Sequence, residues 1–334
     1  MPSIYIAINP TLFDEIQFGS QAARLEPHAR VERWSGAGSP PLEVVVEAMR
    51  RCEVLVTGWG TPSLSEALRD WSPERYAVRL VGHTAGSVKH LLAPETLQAG
   101  LRVAHSNDSL AEAVAEFTLG TIIACRRQMF WAANRLKAGQ RGPAYTTMRE
   151  LPGSTVGIIG ASAIGKRVMD LLRPWQVHVL LADPYATPEL AAHYNAELVD
   201  LPTLMRASDI VSLHAPVTAE TLNMLRGEHF AAMKDGALFI NTARGRLIDH
   251  AALLAELQSG RIYAALDVTD PTEPLPPDSP FFGLENCVVF PHIAGHSIEA
   301  RIRQGQMIGD DVLAYLTGAP LKYEVDVKRW GQIA

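Results

Sequence analysis

The stretch STVGIIGASAIGKRVMDLLRPWQVHVLLADPY, Ser154–Tyr185, decides the fold of this chain. Thr155–Gly160 is an apolar run that reads as a strand, and Gly160 opens a turn. Ala163–Leu172 then places Ile164, Val168, Leu171 and Leu172 on one helical face. Val177–Ala182 is a second apolar strand, closed by Asp183. Strand, tight turn, helix, strand and acid, in that order, make a dinucleotide-binding unit. The helix start, Ser162-Ala163-Ile164, offers unpaired N–H groups and a partial positive charge to a pyrophosphate. Gly160 permits the sharp turn, and Gly165 permits close packing of helix on strand. Ser162 stands where the usual G-x-G-x-x-G pattern has its second glycine. Serine is small and its hydroxyl is able to donate to a phosphate, so binding is expected to survive with altered contacts. A carboxylate at the position of Asp183 accepts from ribose hydroxyls and repels a 2′-phosphate. Pro184 and Tyr185 add no positive charge, so NAD is favoured over NADP.

Outward from this unit, short apolar runs alternate with helix-like segments along the whole chain, the rhythm of a mostly parallel sheet. The earlier part predicts strands near Ile4–Ile8, Glu53–Thr57, Val78–Gly82 and Arg102–Ala104. The later part predicts them near Thr155–Gly160, Val177–Ala182, Ile210–His214, Ala237–Asn241, Ala264–Asp267 and Val288–Phe290. Between the two sets, Ser109 with Glu112 reads as a capping box opening a long, mostly buried helix. The chain is expected to cross between two domains there and to return after Gly295, with a helix over about Glu299–Thr317 covering the first domain. The domains are therefore expected at 1–106 with 297–334, and at 107–296. The proline-rich PTEPLPPDSP, Pro271–Pro280, reads as an extended, functional loop.

The bulk properties narrow the partners. A chain of 334 residues suits two domains, and 47% hydrophobic residues suffice for two cores. A net charge of −6 without clustered Lys and Arg argues against nucleic acid. Cys52, Cys125 and Cys287 are far apart and read as reduced core thiols rather than a metal or disulfide set. The N-terminus reads as a first strand and not a signal peptide, and no apolar run of membrane-spanning length occurs, so a cytoplasmic protein is expected.

Ligands of an open parallel sheet sit beyond the carboxyl ends of its strands. The predicted strands of the later part all deliver polar or glycine residues to that edge: Gly160, Asp183, His214-Ala215-Pro216, Thr242-Ala243-Arg244, Asp267 and His292. Arg244 follows a buried strand in TARGR, and its planar fork suits a carboxylate. His292 stands between Pro291 and IAG, and imidazole suits proton transfer near neutral pH. Glu273 lies in the proline-rich loop.

With these residues in place, the strings VGIIGASAIG, LADPY, DIVSLHAP, LFINTARGRLID, AALDVTDPTEPLP and VVFPHIAG resemble the D-isomer-specific 2-hydroxyacid dehydrogenase family, in its order and spacing. VAEFTLG and LVGHTAGSV are similar to family segments too. The resemblance implies two doubly wound parallel-sheet domains, a Rossmann NAD-binding domain inserted in a flavodoxin-like substrate domain. It implies a hydride transfer between NAD(H) and a small 2-hydroxy or 2-keto acid of D configuration. Arg244, Glu273 and His292 map onto the catalytic set: the histidine as acid and base, the glutamate on its other ring nitrogen, the arginine on the substrate carboxylate. Backbone N–H groups of Ala85-Gly86-Ser87 are implied to hold the same carboxylate from the other domain. Asp267 is similar to a residue near the carboxamide of the nicotinamide. Ala243 and Ala294, with Thr242, are expected to line that end of the cofactor, and His214, Ala215 and Pro216 its adenosine side. Binding in an interdomain cleft and a homodimer are implied as well; a metal is not.

Two other readings share the scaffold. One is an NAD(H)-sensing, corepressor-like interaction protein, which an intact triad without turnover would favour. The other is an enzyme for formate or phosphite. Glu273 stands where formate enzymes carry glutamine, which disfavours formate. Trp59, His83–Val88 and Met148 are where specificity is expected to reside.

Overall fold

A computed structural model describes residues 1–142 and 147–332, so the last two residues of the returning segment lie outside the description. The chain divides into two compact units, Met1–Leu110 with His296–Ala334, and Ala111–Gly295.

The first unit is built on β1 (Ser3–Ala7), β2 (Arg30–Arg33), β3 (Val54–Thr57), β4 (Leu80–His83) and β5 (Arg102–His105). These pair in the order β2-β1-β3-β4-β5, all parallel. The second unit holds β6 (Thr155–Ile159), β7 (His178–Ala182), β8 (Ala196–Leu198), β9 (Ile210–Leu213), β10 (Leu238–Asn241), β11 (Tyr263–Leu266) and β12 (Cys287–Val289). Its order is β12-β11-β10-β9-β6-β7-β8, again parallel. Strand order reverses between β6 and β9, and such a switch point opens a crevice beyond the strand ends.

Central strands are apolar because helices cover both faces; β3, β4, β9 and β10 are buried throughout. The two strands not expected from the sequence, β2 and β8, are both sheet edges. Their sequences, RVER and AEL, have no apolar run, since an edge strand is covered less and has one neighbour. The helix Ala163–Leu172 buries Gly165, Val168, Met169 and Leu172, a spacing of three and four residues, while Ile164 and Leu171 flank the face half-buried.

The capping box expected at Ser109 does not form. The Ser109 hydroxyl donates to the Ser106 carbonyl at 2.6 Å within a 3₁₀ turn, Asn107–Leu110. Glu112, one residue inside the helix Ala111–Arg126, pairs with Arg167 instead. A salt bridge between neighbouring helices has taken the side chain that the local motif needed. The last helix, Ile298–Thr317, starts at Ser297, whose hydroxyl accepts the Ala300 N–H, and ends at Gly318. As expected, it covers the first unit, burying Ile308 and Val312 against Ile4, Ile6 and Phe18. The three cysteines are buried and unbridged, with Cys125 and Cys287 thiols pushed up by burial to about 12. No helix among the described residues is long and apolar enough to cross a membrane.

Candidate active site

In the second unit the predicted residues gather at the carboxyl edge of the sheet. Gly160 leaves β6 with φ +96, where a side chain is strained, and an added Cβ would lie 2.8 Å from the Ala215 nitrogen. The turn is thus pressed against the backbone that follows β9, across the switch point. Gly165 is closer still, with an added Cβ 2.1 Å from the Gly160 carbonyl oxygen, which is the tight helix–strand packing the sequence predicts.

Ser162 is the N-cap of the helix, its hydroxyl oxygen accepting the Gly165 N–H at 3.2 Å. The serine that replaces a glycine therefore has a structural use, and its own O–H is left to donate. The N–H groups of Ser162, Ala163 and Ile164 have no acceptor among the described residues. Three free donors at the positive end of a helix fit a pyrophosphate. Asp183 accepts from Ala161 N at 2.7 Å and from Tyr185 N at 2.8 Å, one oxygen each. It stays half-exposed, so further lone pairs face outward for ribose hydroxyls, and Pro184 beside it is exposed. His214 is buried after β9, with Nε2 on the Ser212 hydroxyl at 2.9 Å and Nδ1 unpartnered among the described residues. Burial drives its pKa down to about 3, so the ring is neutral. Pro216 closes this wall and accepts the Thr221 hydroxyl on its carbonyl. These residues fit a dinucleotide.

Arg244 follows β10 in a loop organised by Asn241, a fully buried residue that sequence reasoning did not single out. Its side chain accepts the Ala243 N–H and donates to the Arg244 carbonyl, both at 3.0 Å. Thr242 in the same loop bonds the Thr118 hydroxyl at 3.1 Å. The signal was present as an asparagine ending an otherwise apolar strand. The Arg244 guanidinium donates to the Ala243 carbonyl at 2.7 Å and has no ion pair among the described residues. Burial lowers its pKa and the Glu273 charge pulls the other way. A half-buried guanidinium with no ion pair among the described residues is able to take an anion on its free N–H groups.

The proline-rich loop after β11 carries Glu273 and makes no helix or strand until Pro280, which opens a 3₁₀ turn, Pro280–Gly283. Its start lies against Gly245, where an added Cβ would stand 2.2 Å from the Thr269 carbonyl carbon. The Thr269 hydroxyl donates to the Thr272 carbonyl at 2.7 Å and stitches the turn before Glu273. Glu273 Oε1 meets His292 Nδ1 at 2.8 Å, with both side chains open to solvent on one side. His292 itself has φ +56, an uncommon backbone for a residue with a Cβ. Asp267 holds that backbone. Its two oxygens accept the N–H groups of Ile293 and Ala294 at 2.8 and 2.9 Å, and it is only 2% exposed. The residue expected beside the nicotinamide is thus seen first as the anchor of the histidine loop.

In the first unit, Ala85-Gly86-Ser87 follows β4. Ala85 and Gly86 are buried, Ser87 is half-buried, and none of their N–H groups has an acceptor among the described residues. Trp59, after β3, lies under the Arg301 guanidinium at 4.0 Å. Met148 is half-exposed, outside the regular elements.

The family model described as "D-isomer specific 2-hydroxyacid dehydrogenase, NAD binding domain" matches residues 119–294. A glyoxylate reductase of Korarchaeum cryptofilum is 31% identical over 89% of both chains. Another, of Thermofilum pendens, is 39% identical over 69% of both. Among solved structures, a phosphoglycerate oxidoreductase from Rhizobium etli superimposes with a TM-score of 0.79 at 26% identity, covering 98% of this chain and 99% of that one.

Proposed function

The chain belongs to the D-isomer-specific 2-hydroxyacid dehydrogenase family and is an NAD-dependent dehydrogenase, and from that premise we propose that it reduces a small 2-keto acid with His292, Glu273 and Arg244 as its working side chains. The observation that carries this reading is the 2.8 Å contact between Glu273 Oε1 and His292 Nδ1. With Nδ1 engaged, Nε2 is the nitrogen left to hand a proton to the keto oxygen. In the reverse direction Nε2 takes the proton from the hydroxyl. Glu273 fixes the tautomer and balances the imidazolium. Arg244, which has no ion pair among the described residues, binds the substrate carboxylate and favours negative charge building on the neighbouring oxygen. Bound nicotinamide supplies or receives the hydride at the substrate's α-carbon. The N–H groups of Ser162, Ala163 and Ile164 would hold its pyrophosphate, Asp183 a ribose, and the walls at Pro184, His214, Ala215 and Pro216 the adenosine side. Thr242, Ala243, Asp267 and Ala294 would border the nicotinamide end. The acid at Asp183, with no cation beside it, supports NAD over NADP.

The free N–H groups of Ala85, Gly86 and Ser87 serve in this reading as the second grip on the substrate carboxylate. Glyoxylate and hydroxypyruvate are the first substrates to try, because relatives carry the names glyoxylate reductase and hydroxypyruvate reductase. A cytoplasmic location, which suits three free thiols, and a homodimer complete the proposal. The test is NADH oxidation over 2-keto acids of graded size, in the wild type and in Arg244→Ala and His292→Ala. Each variant should lose about 100-fold or more of kcat/KM, with His292→Ala still binding NADH. Full activity in either variant defeats the assignment.

A further inference from the structure

We propose that Ser106 is a positioning residue for substrate binding: it pins the Ala85 carbonyl and thereby aims the Gly86 N–H at the substrate carboxylate. The proposal rests on the reading of Ala85–Ser87 as a carboxylate grip, and its geometry lies wholly within the first unit.

Ser106 directly follows β5 and is fully buried. Its backbone N–H points at the Ala85 and His83 carbonyls, 3.2 Å from each. Its hydroxyl donates to the Ala85 carbonyl at 3.1 Å, with the His83 carbonyl at 3.4 Å. The Ala85 carbonyl thus receives two donors from one residue. A trans peptide is planar, and its C=O and N–H point in opposite directions. Fixing the Ala85 oxygen towards β5 therefore turns the Gly86 N–H away from β5, and that N–H has no acceptor among the described residues.

The next peptide obeys the same logic. His105 accepts the Asn107 N–H on Nδ1 at 3.2 Å, so a neutral ring carries its proton on Nε2, and the ring engages the Gly86 backbone. With the Gly86 carbonyl turned to His105, the Ser87 N–H faces the same side as that of Gly86. On the opposite flank, Thr84 ties the loop to β3, its N–H and hydroxyl both on the Thr57 carbonyl at 2.8 and 2.9 Å. Held from both neighbouring strands, the loop presents adjacent N–H groups as a small anion nest. Of these ties, the Ser106 hydroxyl is a side-chain bond that one substitution removes while the backbone bonds remain.

The experiment is Ser106→Ala in the full-length enzyme, assayed with NADH, comparing a 2-keto acid with its carboxamide, for example pyruvate with pyruvamide. Removing the hydroxyl should raise KM for the acid about fivefold to tenfold, the worth of one hydrogen bond, with a smaller change in kcat. The preference for acid over amide should shrink by a similar factor, while KM for NADH stays within about twofold, a change too small to count as lost binding. If the alanine chain does not fold, Ser106→Cys, a weaker donor, carries the same comparison. A KM for the acid within error of wild type overturns the proposal, and so does an equal loss for acid and amide, which marks a merely structural residue. A wild-type enzyme that reduces no 2-keto acid overturns the parent reading itself, an outcome distinct from either.

Discussion

Asp183 and Asp267 occupy equivalent places, each the first residue after a parallel strand, β7 and β11, and each gives both oxygens to backbone N–H groups. What separates them is burial. Asp183 is half-exposed, so its remaining lone pairs face outward and are available to a ligand. Asp267 is 2% exposed, and both amides it holds belong to the loop of His292. The same side chain at the same kind of strand end is left open to solvent in one case and is a buried scaffold in the other. The sheet edge sets where an acid sits, and the neighbouring loop sets what it does.

Three experiments break or sharpen this contrast. The largest effect is expected from Asp267→Asn. An amide there turns an NH₂ towards a backbone N–H, leaves a buried donor unmet and frees the histidine loop. Turnover should fall about 100-fold, the usual cost of misplacing a catalytic group by an ångström. Stability should fall by about 1–3 kcal/mol, from the unmet donor. Wild-type kcat in this variant would show that Asp267 is not the anchor. Asp183→Ala comes next. Its loss should fall mainly on KM for NADH, raised about tenfold to a hundredfold, the worth of hydrogen bonds to a charged acceptor. NADPH should gain relative to NADH, and a loss confined to kcat would make Asp183 another scaffold.

The smallest effect concerns a third kind of strand end, the buried histidines. His83, at the end of β4, and His214, after β9, have pKa values lowered by burial to about 3, against an ordinary 6.5. Unfolded, each binds a proton below 6.5; folded, each remains neutral until about 3. Stability is therefore present above 6.5 and drains as pH falls through that window, by up to about 1.4 kcal/mol per pH unit for each ring. Each unit holds one of the two rings, so His214→Gln should flatten the acid slope of the second unit alone. Urea titrations at pH 7, 6 and 5 read this directly, and an unaltered slope would refute it.

Much of the fold was legible in the sequence because central strands are covered on both faces and must be apolar, as in VLVT and LFIN. The edge strands RVER and AEL were not legible, since strands covered less keep polar residues and lose that signature. The candidate site was legible where the backbone demands a residue type, as at Gly160 with its positive φ, and where acids and a histidine follow apolar runs. Asn241, Ser106 and the exchange of Glu112 from a helix cap to Arg167 were hidden, because each depends on a partner distant in the chain.

By itself the amino-acid sequence determined two parallel sheets and a helix start prepared for a pyrophosphate, which follow from local periodicity and turn chemistry that neighbours along the chain suffice to set. The three side chains on which the chemistry is proposed to rest were named through the family resemblance of the strings that carry them. Only the tertiary structure decided that Glu273 faces His292, that Arg244 lacks an ion-pair partner among the described residues, and that Asp267 anchors one loop while Asp183 is left half-exposed. Those are matters of burial and of which groups meet across loops from different strands, and spacing along a chain carries no measure of either.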